Sequence, residues 1–193
     1  MLSHRIPYPP NKGDKIRSYH MLRHLAQHYD VLLATFVDDP GDWRHVPTVG
    51  AMCADACFGA LRPWPARLRC MAAVAGMQPL SLAWYRDRAM HQWVRETMAR
   101  ARIGRIGVFS SAMAQYAGPY VGARQVVDFC DVDSDKWRQY GAARRWPVSW
   151  LYAHEARRLL AYEREVARQT DAALFVSRPE AQLFRSLAPE SAG

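Results

Sequence analysis

Short runs of apolar residues alternate along the chain with longer segments in which apolar residues recur at every third or fourth position. The short runs predict strands at residues 2–6, 31–37, 54–61, 106–111, 125–130 and 172–177. The longer segments predict helices at residues 15–28, 42–50, 66–76, 82–101, 112–120, 148–169 and 179–188. Apolar strands that alternate with helices are typical of a parallel sheet covered on both faces. The pattern therefore predicts an α/β fold, a doubly wound parallel sheet, in one domain spanning residues 1–193.

The segment at residues 8–26 joins the first predicted strand to the first predicted helix through a basic loop. Gly13 tolerates left-handed backbone angles, and Asp14 is the predicted N-cap of the helix. A helix start presents unpaired N–H groups and a partial positive charge. Because Lys12, Lys15 and Arg17 crowd the same turn, the five residues together predict an anion-binding site.

This loop contains neither of the strict phosphate-binding motifs, GxxxxGKS/T or GxGxxG, since Gly13 is its only glycine. A polar loop whose lysines merely face water is therefore the alternative interpretation. The local pattern alone does not decide between the two.

Polar residues also follow the later strands of the predicted sheet. Ligands of such sheets bind outside the carboxyl ends of the strands. This rule selects as candidate substrate-binding residues Ser110, Ser111, Asp128, Asp131, Asp133, Ser177 and Arg178. A carboxylate beside a phosphate contact can orient a hydroxyl for transfer onto a sugar or lipid phosphate. The alternative for the acidic residues is helix capping and a solvated loop.

Composition limits the classes of function that the chain can have. The net charge of +8 favours anionic partners, whether nucleic acid, acidic lipid or phosphorylated small molecules. No run of eighteen apolar residues and no signal peptide is present, so we expect a cytoplasmic protein. Cys53 and Cys57 lack a second Cys or His pair at zinc spacing, so free thiols are expected and no metal site.

Basic and aromatic residues mix in residues 62–88, around a small apolar helix. This composition is typical of a helix in a membrane interface, with Trp64, Arg67 and Arg69 as the candidate lipid contacts. It is equally typical of a helix pair packed on the sheet with its arginines outside. The composition of this segment fits both.

Three segments resemble the amino-terminal half of glycosyltransferase family 4 proteins: YPPNKGDKIRSYHMLRHLA, VVDFCDVDSDKW and EARRLLAYEREVARQTDAALFVSRPEAQLF. The resemblance is greatest to the sugar transferases associated with PEP-CTERM/exosortase gene clusters and exopolysaccharide synthesis. It covers nearly the whole chain, and its most specific parts are NKGDKIR and DVDSDKW.

The resemblance implies a GT-B enzyme with two Rossmann-like domains, which transfers a sugar from a nucleotide-sugar with retention of configuration and without a metal or other cofactor. The amino-terminal domain of such enzymes mainly binds the acceptor, here a saccharide or lipid-linked phosphate. The donor-binding domain is expected to be absent from this chain, which alone is expected to be inactive. A peripheral position on the inner membrane is a further expectation.

Two residue roles follow from the resemblance. The loop around Gly13 matches the family's glycine-containing first loop, which approaches the donor phosphates. Cys130-Asp131 occupies the place of a His-Asp pair found in many members, so Asp131 is the candidate catalytic residue. The competing hypothesis is a non-catalytic basic module that binds anionic membrane or nucleic acid through its arginines.

Overall fold

A single sheet of parallel strands organises the protein. Within residues 1–118 and 122–191, which the computed structural model describes, the sheet has six strands. They are β1 (Leu2–Ser3), β2 (Leu32–Val37), β3 (Asp55–Ala60), β4 (Arg105–Phe109), β5 (Arg124–Cys130) and β6 (Ala172–Phe175). Across the sheet they lie in the order β3-β2-β1-β4-β5-β6. The predicted doubly wound parallel α/β fold is confirmed.

Helices connect successive strands and lie against the sheet. They are α1 (Gly13–Ala26), α2 (Val46–Gly50), α3 (Pro63–Ala75), α4 (Leu80–Trp84), α5 (Arg88–Arg100), α6 (Ala114–Ala117), α7 (Asp133–Ala142), α8 (Val148–Gln169) and α9 (Arg178–Leu187). Turns of 3-10 helix occur at Pro40–His45, Ser111–Met113 and Pro189–Ser191. Residues 119 and 120 of the predicted helix 112–120 lie outside the described residues.

Three predicted elements differ from the observed ones. The first strand ends at Ser3 instead of residue 6, because the chain turns there and Ile6 N–H donates to the Phe36 carbonyl, 2.7 Å away. The predicted helix 82–101 is two helices, α4 and α5, since Asp87 caps a new helix by accepting from Met90 N–H at 2.9 Å. The polar stretch after β5, where no helix was predicted, contains helix α7.

Successive side chains of the central strands point to opposite faces of the sheet and are buried in two cores, one on each face. One core contains Ile6, Leu22 of α1, and Leu33 of β2. The opposite core contains Phe36 of β2 and Met90 of α5, among many other residues. The two cores fix α1 and α5 on opposite faces, and this arrangement positions the loops at the carboxyl ends of the strands.

Candidate functional site

The sheet order creates a crevice where β1 lies beside β4. From these two neighbours the chain continues in opposite directions across the sheet, to β2 and to β5, so their following loops separate. Such a switch point is the usual ligand site of an open α/β sheet. His4 and Arg5 follow β1 directly, and Ser110 follows β4. The candidate site therefore lies around these residues.

His4 is held between two aromatic rings. Its imidazole stacks on Phe109 at the end of β4, with ring centroids 5.8 Å apart and planes 5° apart, and it meets Tyr85 edge-on at 5.8 Å. His4 Nε2 lies 3.5 Å from a carboxylate oxygen of Asp14. His4 Nδ1 is buried without a hydrogen-bond partner among the described residues. The ring is thus fixed in orientation, while Nδ1 makes no hydrogen bond to the described residues.

Arg5 bridges two carboxylates at the mouth of the crevice. Its Nη1 lies 2.6 Å from Asp14 Oδ2 and its Nε 2.8 Å from Asp38 Oδ2. Hydrogen bonding to His4, together with the charge of Arg5, holds the pKa of Asp14 well below its usual range. Asp38 Oδ1 is buried without a hydrogen-bond partner among the described residues. Burial raises the pKa of the Tyr85 phenol to about 12, so the crevice contains the ionised Asp14 carboxylate beside a neutral hydroxyl.

The start of α1 differs from the expected geometry in two respects. Lys12, not Asp14, occupies the N-cap position, and no side chain caps the helix there. Asp14 lies inside the first turn, where its carboxylate accepts from Lys15 N–H at 2.9 Å. Gly13 does not have a left-handed backbone, and a Cβ added to it would meet nothing within 4 Å. The glycine leaves open space at the helix start rather than satisfying a backbone requirement.

The three cations predicted for the anion site are in different environments. Lys15 is buried and its ammonium is paired with Asp42. Arg17 Nε lies 2.7 Å from Asp128 Oδ2. Lys12 is exposed, with no ion pair among the described residues. The positive charge of Lys15 and Arg17 is therefore largely balanced by protein carboxylates, and Lys12 is the cation that the loop presents to solvent.

The carboxyl end of β5 contributes an acidic pair that shares one lysine. Lys136 Nζ lies 2.6 Å from Asp131 Oδ2 and 3.2 Å from Asp133 Oδ1. About a third of each aspartate side chain is exposed. Desolvation by the surrounding protein nonetheless raises the pKa of Asp133, against the opposing effect of Lys136. Desolvation lowers the pKa of Lys136, but its two carboxylate partners outweigh this and raise it overall.

Asp128 lies within β5. Its side chain is 1% exposed, and besides Arg17 it accepts from Cys130 N–H at 3.0 Å. Both carboxylate oxygens are thus occupied, and the residue ties α1 to β5.

Strained backbone marks the ends of the two neighbouring strands. Ser110 after β4 has φ +77° and Cys130 at the end of β5 has φ +64°, values that side-chain-bearing residues rarely adopt. Such strain is common at functional sites. Burial, followed by the charge of Asp128, raises the pKa of the Cys130 thiol far above its usual range, so this thiol stays protonated. Ser110 and Ser111 are both buried beneath the rim.

Ser177 and Arg178 lie apart from the crevice. Ser177 caps α9, accepting from Glu180 N–H, and both residues are exposed. The sheet order separates β6 from β1 by three strand spacings, about 14 Å. The structure therefore does not bring these two residues together with His4 and Asp14.

One of the three candidate lipid contacts, Arg69, makes hydrogen bonds within the fold. Its Nε donates to the Ala83 carbonyl at 2.9 Å and its Nη2 to the Trp84 carbonyl at 3.0 Å. The guanidinium faces α4 and joins α3 and α4 into a hairpin. Trp64 and Arg67 face outward, with the Arg67 guanidinium 5.8 Å from the Trp64 ring centroid.

A sizeable cavity lies elsewhere in the fold. It has a volume of about 900 Å³ and extends from the amino ends of the strands along one face of β4–β6, lined by apolar residues such as Met21, Leu25, Val126 and Leu174. It is mostly apolar, whereas the charged groups converge on the opposite, carboxyl edge. We therefore place the candidate site in the crevice and not in this cavity.

Sequence reasoning missed His4, Arg5, Asp38, Tyr85 and Lys136. The rule that selected the other candidates, position after a strand, also selects His4 and Arg5 once β1 ends at Ser3. Asp38 directly follows β2 and was available to the same rule. Tyr85 gave no such signal, because it lay inside a predicted helix and reaches the crevice only through the break between α4 and α5.

Among residues 1–118 and 122–191, no three His, Cys, Asp or Glu side chains are grouped so that they could hold a metal ion. No helix in these ranges has the length and apolar character needed to cross a membrane. Comparison of the chain with protein-family models, curated proteins and solved structures found no match.

Proposed function

We propose that this chain is the acceptor-binding, Rossmann-like domain of a retaining GT-B glycosyltransferase. The enzyme transfers a sugar from a nucleotide-sugar to a saccharide or lipid-linked acceptor in exopolysaccharide synthesis, at the cytoplasmic face of the membrane. The resemblance of the loop and of the DVDSDKW segment supports this assignment. The single observation that carries it is the crevice at the switch point. There, polar atoms of His4 and Asp38 that have no hydrogen-bond partner among the described residues lie beside ionised Asp14.

A sugar ligand fits the polar groups of the crevice. Each sugar hydroxyl both donates and accepts a hydrogen bond. Asp38 Oδ1 offers an acceptor and His4 Nδ1 a second polar atom, and neither is satisfied by the described protein. The stacked aromatic surroundings of His4 add apolar surface of the kind that ligand pockets use. These features suit a hydroxyl-rich acceptor.

Asp131 orients the acceptor hydroxyl in the proposed reaction. Its carboxylate lies 2.6 Å from Lys136 Nζ, and the side chain is 34% exposed, so a ligand can reach it. The bond between the donor sugar and its phosphate breaks, a bond to the acceptor oxygen forms, and the acceptor proton leaves with the nucleoside diphosphate. The open helix start at Lys12 and Gly13 faces the donor phosphates, while a second domain holds the nucleotide.

Sugar transfer by the full-length gene product tests the proposal. Radiolabelled nucleotide-sugars are supplied with a membrane lipid extract, and wild type is compared with Asp131→Asn and Gly13→Ala. The matched controls are Asp30→Asn, exposed at the opposite edge of the sheet, and Gly50→Ala, which also has open space around its Cβ position. Neither control residue lies in the crevice.

We expect Asp131→Asn to lower kcat/KM for the acceptor at least tenfold, and Gly13→Ala to raise KM for the donor, with both controls unchanged. If both variants still transfer sugar, the proposed enzyme activity stands but the proposed site residues are wrong. An absence of transfer with every donor contradicts the proposed function.

A further inference from the structure

Exposed large apolar side chains are concentrated on two segments of the surface. On α3, Trp64, Leu68 and Met71 are 73%, 61% and 70% exposed. Around the start of α8, Trp146 and Trp150 are 80% and 48% exposed. If a fully exposed tryptophan presents about 200 Å², the three tryptophans alone expose about 400 Å². Summed over the two segments, this area is comparable to that of the largest apolar patch on a typical monomer.

The outward face of α3 has an inverted pattern. Trp64, Leu68 and Met71 follow the i, i+4, i+7 spacing of one helix face, whereas the buried residues of the helix are the small Ala66 and Ala73. A surface helix normally buries its large apolar residues. The apolar face of α3 is thus turned to solvent.

The α3–α4 hairpin and α8, which carry the two segments, are joined through Glu155 of α8. Its fully buried carboxylate accepts hydrogen bonds from Leu80 N–H, Ser81 N–H and the Ser81 hydroxyl, the last two at 2.9 and 2.7 Å. Cys70 of α3 in turn donates to the Leu80 carbonyl at 3.5 Å. These bonds fix the α3–α4 hairpin against the same helix that begins beside Trp146 and Trp150.

Both segments carry positive charge without acidic neighbours in sequence. Residues 61–86 and 137–154 contain no Asp or Glu. Arg62, Arg67, Arg144 and Arg145 are exposed, and none of them forms an ion pair with the described residues. The charge of these four arginines is therefore available to an anionic partner.

We propose that these residues form a docking surface for an anionic lipid bilayer. The tryptophan–arginine surface consists of Trp64, Leu68, Met71, Trp146 and Trp150, with Arg62, Arg67, Arg144 and Arg145. Tryptophan prefers the boundary between acyl chains and headgroups, and arginines at that depth meet the negative headgroups. Charge complementarity thus favours an acidic lipid surface. The inference does not rest on the proposed sugar transfer, because lipid binding is measured without any donor or acceptor.

Vesicle flotation of the full chain tests this surface. Vesicles of phosphatidylcholine with 30 mol% phosphatidylglycerol are compared with pure phosphatidylcholine. The apolar variant is Trp64→Gln with Trp146→Gln, and its control is Trp43→Gln, an exposed tryptophan on another part of the surface. The charge variant is Arg67→Gln with Arg144→Gln, and its control is Arg23→Gln on α1. Circular dichroism and the urea midpoint verify folding.

We expect binding to the anionic vesicles alone, lowered at least tenfold in the apolar variant and about fivefold for each arginine removed. Both controls bind like wild type. Equal binding of wild type to neutral vesicles, or unchanged binding of both double variants, overturns the proposal. Tighter binding to a single-stranded RNA oligomer, lost in the same variants, also overturns it in favour of a nucleic-acid partner.

Discussion

Replacing Lys15 by methionine separates its structural role from its predicted role in anion binding. Lys15 is 2% exposed and its ammonium is paired with Asp42, whose side chain is 11% exposed. Removal of one partner leaves the other charge buried without compensation. We therefore expect Lys15→Met to lower the free energy of unfolding by about 3–5 kcal/mol. Urea denaturation followed by circular dichroism measures this change.

The double variant Lys15→Met/Asp42→Leu should recover most of that loss, because apolar side chains can replace a buried ion pair at little cost. The coupling between the two positions is then obtained from a double-mutant cycle. Arg100→Met is the matched control: Arg100 and its partner Asp55 are 58% and 40% exposed, so a change below about 1 kcal/mol is expected.

A loss below about 1 kcal/mol in Lys15→Met, or no recovery in the double variant, would refute the reasoning from burial. The recovered double variant also tests the ligand role. If it folds stably and keeps its donor affinity in the sugar-transfer assay, Lys15 acts only within the fold. If donor affinity falls while stability is restored, the sequence-based role of Lys15 in phosphate binding is supported.

Three further outcomes follow from backbone, packing and burial. Ser110→Gly should raise stability by about 1 kcal/mol in urea, because φ +77° is relieved; a decrease would contradict strain at this position. Gly13→Ala should be neutral or stabilising by about 0.5–1 kcal/mol, whereas Gly59→Ala should cost about 1–3 kcal/mol because its Cβ would lie 3.0 Å from the Phe36 ring; equal midpoints would contradict this contrast. Burial raises the pKa of Glu163 to about 8 from its ordinary 4.5, so the folded state retains a proton that the unfolded state releases. The associated stability is present below about pH 4.5 and is lost as pH rises through 8. Glu163→Gln should remove this pH dependence. If the profile of urea midpoint against pH is the same in wild type and variant, the role assigned to Glu163 is wrong.

The apolar pattern predicted most helices and strands, because apolar residues recur on the side of each element that packs against its neighbours in the fold. Helix α8 was predicted at residues 148–169 and is observed at Val148–Gln169. The observed ends of the strands differ from the predicted ends by a few residues, because burial decreases there and the apolar pattern no longer marks the strand. The break at Asp87 was not predicted, because its apolar spacing continues through the cap and only the Asp87 carboxylate marks the new start.

The candidate site was predictable only in outline. The position of residues after strands identified Asp131 and Asp133, which the structure joins through Lys136. It could not tell that Lys15 is buried against Asp42, since both residues are ordinary polar positions in the sequence. Pairing between residues 27 positions apart depends on how α1 and the turn after β2 pack.

The sequence by itself determined the alternation of strand and helix, the parallel sheet and the edge at which polar residues gather, because these depend on local periodicity and on chain direction. The tertiary structure decided which charges face solvent and which are paired. It joined Arg5 to Asp14 and Asp38, turned Arg69 inward to α4, and left Trp64 outside. A charged side chain gains its partner only when elements far apart in the sequence pack together. The local sequence pattern does not contain that information.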